Sequence, residues 1–91
     1  MKQLTITHFI TCFYTTEEQA TLAGVTRGTY CNATSGNAYK RYRRRVLFNL
    51  IKDLAHEEAS DPRNADYYQA AIRQSKRFID GLREPASSPE G

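Results

Sequence analysis

The apolar positions of this chain recur every three or four residues along most of its length. Ile6, Phe9, Ile10, Phe13 and Tyr14 fall at that spacing behind Thr5, whose oxygen can cap a helix N-terminus. Leu4, Ile6 and Ile10 also fit a two-residue alternation, so a strand is the rival reading. Phe9 and Phe13 share one helical face and favour the helix. At Thr16-Glu17-Glu18-Gln19 a second helix is expected to start. Thr16 is the predicted N-cap, the carboxylates suit the positive helix end, and Gln19 can close a capping box. This helix carries Ala20, Leu22 and Ala23 and stops at Gly24, a residue suited to the left-handed C-cap. Val25 then points into the core. Thr26 caps a third helix reaching Ala33 or Thr34, and Ser35-Gly36-Asn37 reads as a turn.

Two longer amphipathic helices follow. Over Ala38 to Ala59, Tyr39, Tyr42, Val46, Leu47, Leu50, Ile51 and Leu54 form one apolar stripe. Asp61-Pro62 marks a break and a restart, with Asp61 as N-cap and Pro62 as the first helical residue. The last helix carries Tyr68, Ile72, Ser75, Ile79 and Leu82, a seam widened by Ala71 and Phe78. The polar run EPASSPEG from Glu84 predicts a disordered tail over 84–91. The expected fold is therefore all-α, a single small domain over 1–83. Three short helices lead, and a helical hairpin over about 38–83 closes the chain.

Composition narrows the function. At 91 residues the chain supports one small core. No apolar run approaches the ~18–20 residues that span a bilayer, so no membrane partner is expected. The opening MKQLTITHFITCFY is interrupted by threonines and a histidine and lacks a small-residue cleavage site, which argues against a secretory signal. Cys12 and Cys31 form neither a disulfide framework nor a C-x-x-C spacing, and read as reduced thiols in a cytoplasmic protein. His8 and His56 stand alone. The sequence shows no Ser/His/Asp grouping, paired catalytic carboxylates, phosphate-cradling glycine loop or ligand cluster. No catalysis, metal, cofactor or small-molecule substrate is expected.

Charge is the more informative quantity. The net value is only +3, yet from Arg27 to Lys52 there are seven basic residues and no acidic one. The acids sit at Glu17 and Glu18 and again from Asp53 onward. Such a block points to an anionic partner facing that segment. Its densest part is Tyr39 to Arg45, where Lys40, Arg41, Arg43, Arg44 and Arg45 crowd the first turns of a helix. Cations there oppose the helix dipole, at roughly a few tenths of a kcal/mol each. Contact with phosphates would account for them. A solubilising face, or pairing with Asp53, Glu57 and Glu58, is the alternative.

The second and third helices have the parts of a helix-turn-helix over about 16–34. Ala20 is the small residue at the crossing, Gly24 the turn, Val25 the residue that fixes the angle, and Tyr30 the core anchor. The run QATLAGVTRGTYCNATSG resembles the helix-turn-helix of phage and bacterial regulators, the Cro and xenogeneic-repressor type, over about Leu4 to Gly36. The resemblance implies that Arg27, Gly28, Cys31 and Asn32 face the major groove. It also implies that Thr16 and Thr26, with Thr29, lie near phosphates. Arg27 could pair with guanine, and Asn32 could read adenine or cap the helix end.

The expectation is a sequence-specific binder of double-stranded DNA, a small regulator acting as a homodimer. Part of the Tyr68–Leu82 seam is available for dimerisation if α-helical packing within the chain leaves it free. Two alternatives stand beside it. One is the DNA-recognition subunit of a packaging terminase, with a ring-shaped oligomer. The other is a small phage-type protein that binds and inhibits a host complex, its arginines gripping an acidic protein surface.

Overall fold

The computed structural model describes residues 5–82. The expectations for Leu4 and for the tail from Glu84 fall outside them. Helix α1 spans Ile6–Thr11, α2 Thr16–Ala23, α3 Arg27–Asn32, α4 Gly36–Ser60 and α5 Ala65–Gly81. A single 3-10 turn, Pro62–Asn64, joins the last two. The described residues are all-α with no strand, and the helical reading of the first segment holds.

Local chemistry explains most boundaries. Thr5 caps α1 by accepting the His8 N–H. The cap of α2 is Thr15, one residue earlier than predicted, and the capping box closes on Glu18. Thr15 Oγ1 accepts from the Glu18 N–H at 3.1 Å, and Glu18 Oε1 accepts from the Thr15 N–H at 2.8 Å. Thr16 is thus the first helical residue. The one-residue shift frees Gln19 from capping and turns it inward beside Ala20 and Ala23.

Gly24 ends α2 at φ 81°, ψ 25°. The Val25 N–H reaches back to the Ala20 carbonyl at 3.1 Å, which satisfies an otherwise orphan group. Gly24→Ala forces an L side chain into this left-handed region. We expect it to cost about 1–2 kcal/mol, read as a lower urea midpoint with an unchanged slope.

Thr26 caps α3 as predicted. Helix α4 starts at Gly36, two residues earlier than expected; Ser35 before it is extended, and Gly36 itself turns the chain at φ 81°. At the other end Asp61 and Pro62 take the predicted N-cap and first positions, but of a 3-10 turn, and the Asp61 side chain makes no cap hydrogen bond. Its Oδ2 accepts from Asn64 Nδ2 at 2.7 Å and from Tyr68 Oη at 3.2 Å, which holds the 3-10 turn and delays α5 to Ala65.

The core lies along α4. Tyr42, Val46, Leu47, Leu50 and Leu54 are buried, and α5 and α2 pack against the helix. Ala71, Ser75, Ile79 and Leu82 are buried on α5. Ser75 is tolerated there because its Oγ donates to the Ala71 carbonyl at 2.9 Å. Helix α1 adds an aromatic cluster, with Phe9 5.3 Å from Phe13 and 5.4 Å from Phe78 between ring centres. The buried α5 seam is therefore occupied within the chain.

Candidate nucleic-acid interface

Helix α3 is six residues long, too short to be stable alone. Tyr30 holds it. This side chain is buried, while Arg27, Gly28, Thr29, Cys31 and Asn32 are exposed around it. The Tyr30 hydroxyl donates to Gln19 Oε1 at 2.6 Å, and Gln19 Nε2 donates to the Tyr14 carbonyl at 3.1 Å. A buried amide thus links the link before α2 to the anchor of α3. Burial raises the Tyr30 pKa, and the nearby Arg43 charge opposes that rise.

Arg43 closes the anchor from the α4 side. Its guanidinium carbon lies 4.3 Å from the Tyr30 ring centre and 4.6 Å from that of Tyr39. Nε and Nη1 are buried with no hydrogen-bond partner among the described residues. The two ring faces receive the cation in place of an anion.

The rest of the basic block divides around the helix, as consecutive residues at 100° spacing must. Arg44 Nη1 donates to the Leu82 carbonyl at the end of α5, at 2.8 Å. Arg45 Nη1 donates to the Ala23 carbonyl at the end of α2, also at 2.8 Å. Both cations therefore sit at negative helix ends, and with α4 starting at Gly36 they lie more than two turns beyond its positive end. Lys40 is half-buried. Arg41 is exposed, its guanidinium 5.4 Å from the Tyr42 ring centre.

The threonines are placed as follows. Thr26 Oγ1 accepts the Thr29 N–H at 3.2 Å and donates to Thr29 Oγ1 at 3.0 Å. Thr16 is half-buried at the start of α2, and it shares a shallow groove with Thr15, Glu17 and Arg27. The structure thus brings Thr16 and Arg27 together. Arg44 and Arg45 bond instead to the ends of α5 and α2, Arg45 remaining exposed. Cys12 and Cys31 are free and exposed. Among the described residues there is no group of three or more His, Cys, Asp or Glu placed to hold a metal, and no helix is long and apolar enough to cross a membrane.

A second polar cluster lies on the other side of α2. Tyr14 donates a short hydrogen bond to Asp53 Oδ2, and Asn49 Nδ2 donates to both, at 3.2 Å each. Burial, then the Asp53 carboxylate, pushes the Tyr14 pKa up to about 12. The raised folded-state value favours the protonated phenol. Its contribution is full below pH 10, the ordinary tyrosine value, and is lost as pH rises toward 12. We expect Tyr14→Phe to flatten this alkaline loss, measured as urea unfolding free energy across pH 9–12. An equally steep loss in the variant would remove Tyr14 as its source.

Sequence reasoning named Gln19 as a capping residue and Arg43 as a phosphate contact; it missed the roles the structure gives them, and it missed the Tyr14–Asn49–Asp53 cluster. Spacing held a signal for two of them. Gln19 lies four residues before the buried Ala23, and Arg43 lies four after Tyr39. Compared with known proteins, the chain matches no family model, no curated protein and no solved structure.

Proposed function

We propose that this chain binds double-stranded DNA sequence-specifically, as a small regulator acting as a dimer. One observation carries the reading. A short helix behind a left-handed glycine is anchored by one buried tyrosine and turns a basic, polar set outward. That is what a major-groove reader requires of its second helix. Arg27 and Asn32 read base edges, with Gly28 and Cys31 at the same surface. Thr16, Thr26 and Thr29 lie at the flanks. Lys40 and Arg41 grip phosphates, while Arg43, Arg44 and Arg45 hold the helices that present α3.

Glu17 beside Arg27 opposes an indiscriminate hold on phosphate at that end. The reading therefore predicts weak binding to random duplex and a gain on a selected sequence. The experiment is a gel shift over a salt series, first on random duplex and then on sequences selected by binding. Affinity that falls with salt and rises after selection supports the reading. No retention at low salt on either pool overturns it.

A further inference from the structure

The turn at Gly24 fixes where α3 begins, but not where its far end lies. Tyr30 is the only buried residue of α3, and it stands in the last turn of that helix. Burial of its ring favours docking without favouring one angle, because apolar contact has no preferred direction. Hydrogen bonds do, and they weaken steeply as they bend.

The polar contacts around Tyr30 form a closed circuit that leaves α4 and returns to it. Asp53 accepts from the Tyr14 hydroxyl, and Asn49 Nδ2 donates to that hydroxyl at 3.2 Å. The Tyr14 N–H is tied back to the Ile10 carbonyl at 3.0 Å, so the peptide before α2 is pinned at both its side chain and its backbone. The Tyr14 carbonyl takes Gln19 Nε2, and Gln19 Oε1 takes the Tyr30 hydroxyl. Arg43 closes the circuit over the Tyr30 ring.

We infer that Gln19 is the positioning residue that sets the orientation of α3 against α4. The orientation itself needs no DNA, and its consequence for base reading rests on the function proposed above.

The chemistry of the side chain supports this role. Gln19 is 4 % exposed, so both ends of its amide must be matched inside the fold. The Tyr14 carbonyl can only accept, which points Nε2 toward it and leaves Oε1 for the phenol. Leucine offers neither group, and an ionised glutamate sets a second acceptor against the carbonyl. A leucine could fill this seat with no polar atom to satisfy. The amide adds direction, which an apolar contact lacks.

Amide residual dipolar couplings of the isotope-labelled full chain, without DNA, test this. In the wild type the couplings of residues 27–32 should fit the alignment frame defined by α4 and α5. In Gln19→Leu they should depart from it, while α4 and α5 still share one frame. Tyr30→Phe breaks the same bond but keeps the ring, so it should give the same departure even where Gln19→Leu folds poorly. Gln19→Leu combined with Tyr30→Phe leaves neither the amide nor the phenol unmatched. The double variant should recover much of the urea midpoint that each change costs alone, and none of the orientation. Couplings of α3 that still fit the frame in both single variants overturn the inference, as does an orientation restored in the double variant. In gel shifts Gln19→Leu should lower the preference for selected over random duplex by about fivefold or more, the lower bound for one base contact, at an unchanged salt slope. A wild type that retains no duplex overturns the DNA reading alone, since the dipolar couplings decide the role of Gln19 without it.

Discussion

Tyr30→Ala is expected to lower the unfolding free energy by about 3–5 kcal/mol, the range for deleting a buried aromatic side chain. For a domain of 91 residues the total is roughly 5–14 kcal/mol, so this one change removes a large part of it. Three losses coincide. The ring leaves a cavity behind α3, Gln19 Oε1 loses its donor, and Arg43 loses one of its two stacking faces. Tyr30→Phe separates them. It keeps the ring and the stack but leaves a buried acceptor unmatched, for about 1–3 kcal/mol. Urea unfolding of both variants checks the order. Equal losses would show that the hydroxyl alone holds the anchor, and a small loss in Tyr30→Ala would show that α3 is held elsewhere. If the chain binds DNA as proposed, Tyr30→Ala should abolish selective retention although Arg27 and Asn32 are unchanged.

Much of this architecture is readable from apolar spacing. The α4 stripe and the α5 seam are period-3.6 patterns over four or more turns, and long periodic segments leave little choice of structure. The glycine stop of α2 and the Thr26 cap are equally legible, since each depends on the chemistry of one residue at one position. What is not legible is the choice between neighbours of the same type. Thr15 and Thr16 can both cap, and Glu18 and Gln19 can both close a box. The structure takes the pair that leaves Gln19 facing Tyr30, because an inward glutamine finds two partners there. Asp61 is a similar case. A cap to a helix starting at Pro62 and a clasp to Asn64 and Tyr68 both use its carboxylate, and tertiary contact with α5 decides.

The basic block shows a different limit. Sequence gives charge along the chain, but a helix spreads these five cations over more than half of its circumference. Arg44 and Arg45 look like surplus charge needing an external anion only while the ends of α2 and α5 are out of view. Once those carbonyls are in place, the two guanidinium groups have partners inside the fold. Arg43 goes further, since rings of Tyr30 and Tyr39 meet its charge without any anion. The charge that calls for an external anion thus contracts from five side chains to Lys40 and Arg41, with Arg27 exposed on α3.

That contraction makes the DNA reading sharper, because the three groups of basic residues should fail differently. Lys40→Gln combined with Arg41→Gln should weaken binding to every duplex alike. It should reduce the slope of log affinity against log salt by roughly 1.8, at about 0.9 per lost phosphate contact. Arg27→Ala should act on selection. It should lower the preference for the selected sequence by about 1–3 kcal/mol, or about 5- to 150-fold, with less effect on random duplex. Arg45→Met keeps the aliphatic stem but loses the bond to the Ala23 carbonyl, so it should lower the urea midpoint and leave the salt slope where it was. Gel shifts on selected and random duplexes at several salt concentrations measure all three. Should Arg45→Met change the slope as much as the Lys40/Arg41 pair does, the assignment of inner and outer arginines is wrong. Should Arg27→Ala weaken both duplexes equally, α3 contributes charge and reads nothing, because a base-edge contact cannot be lost without changing the ranking of sequences.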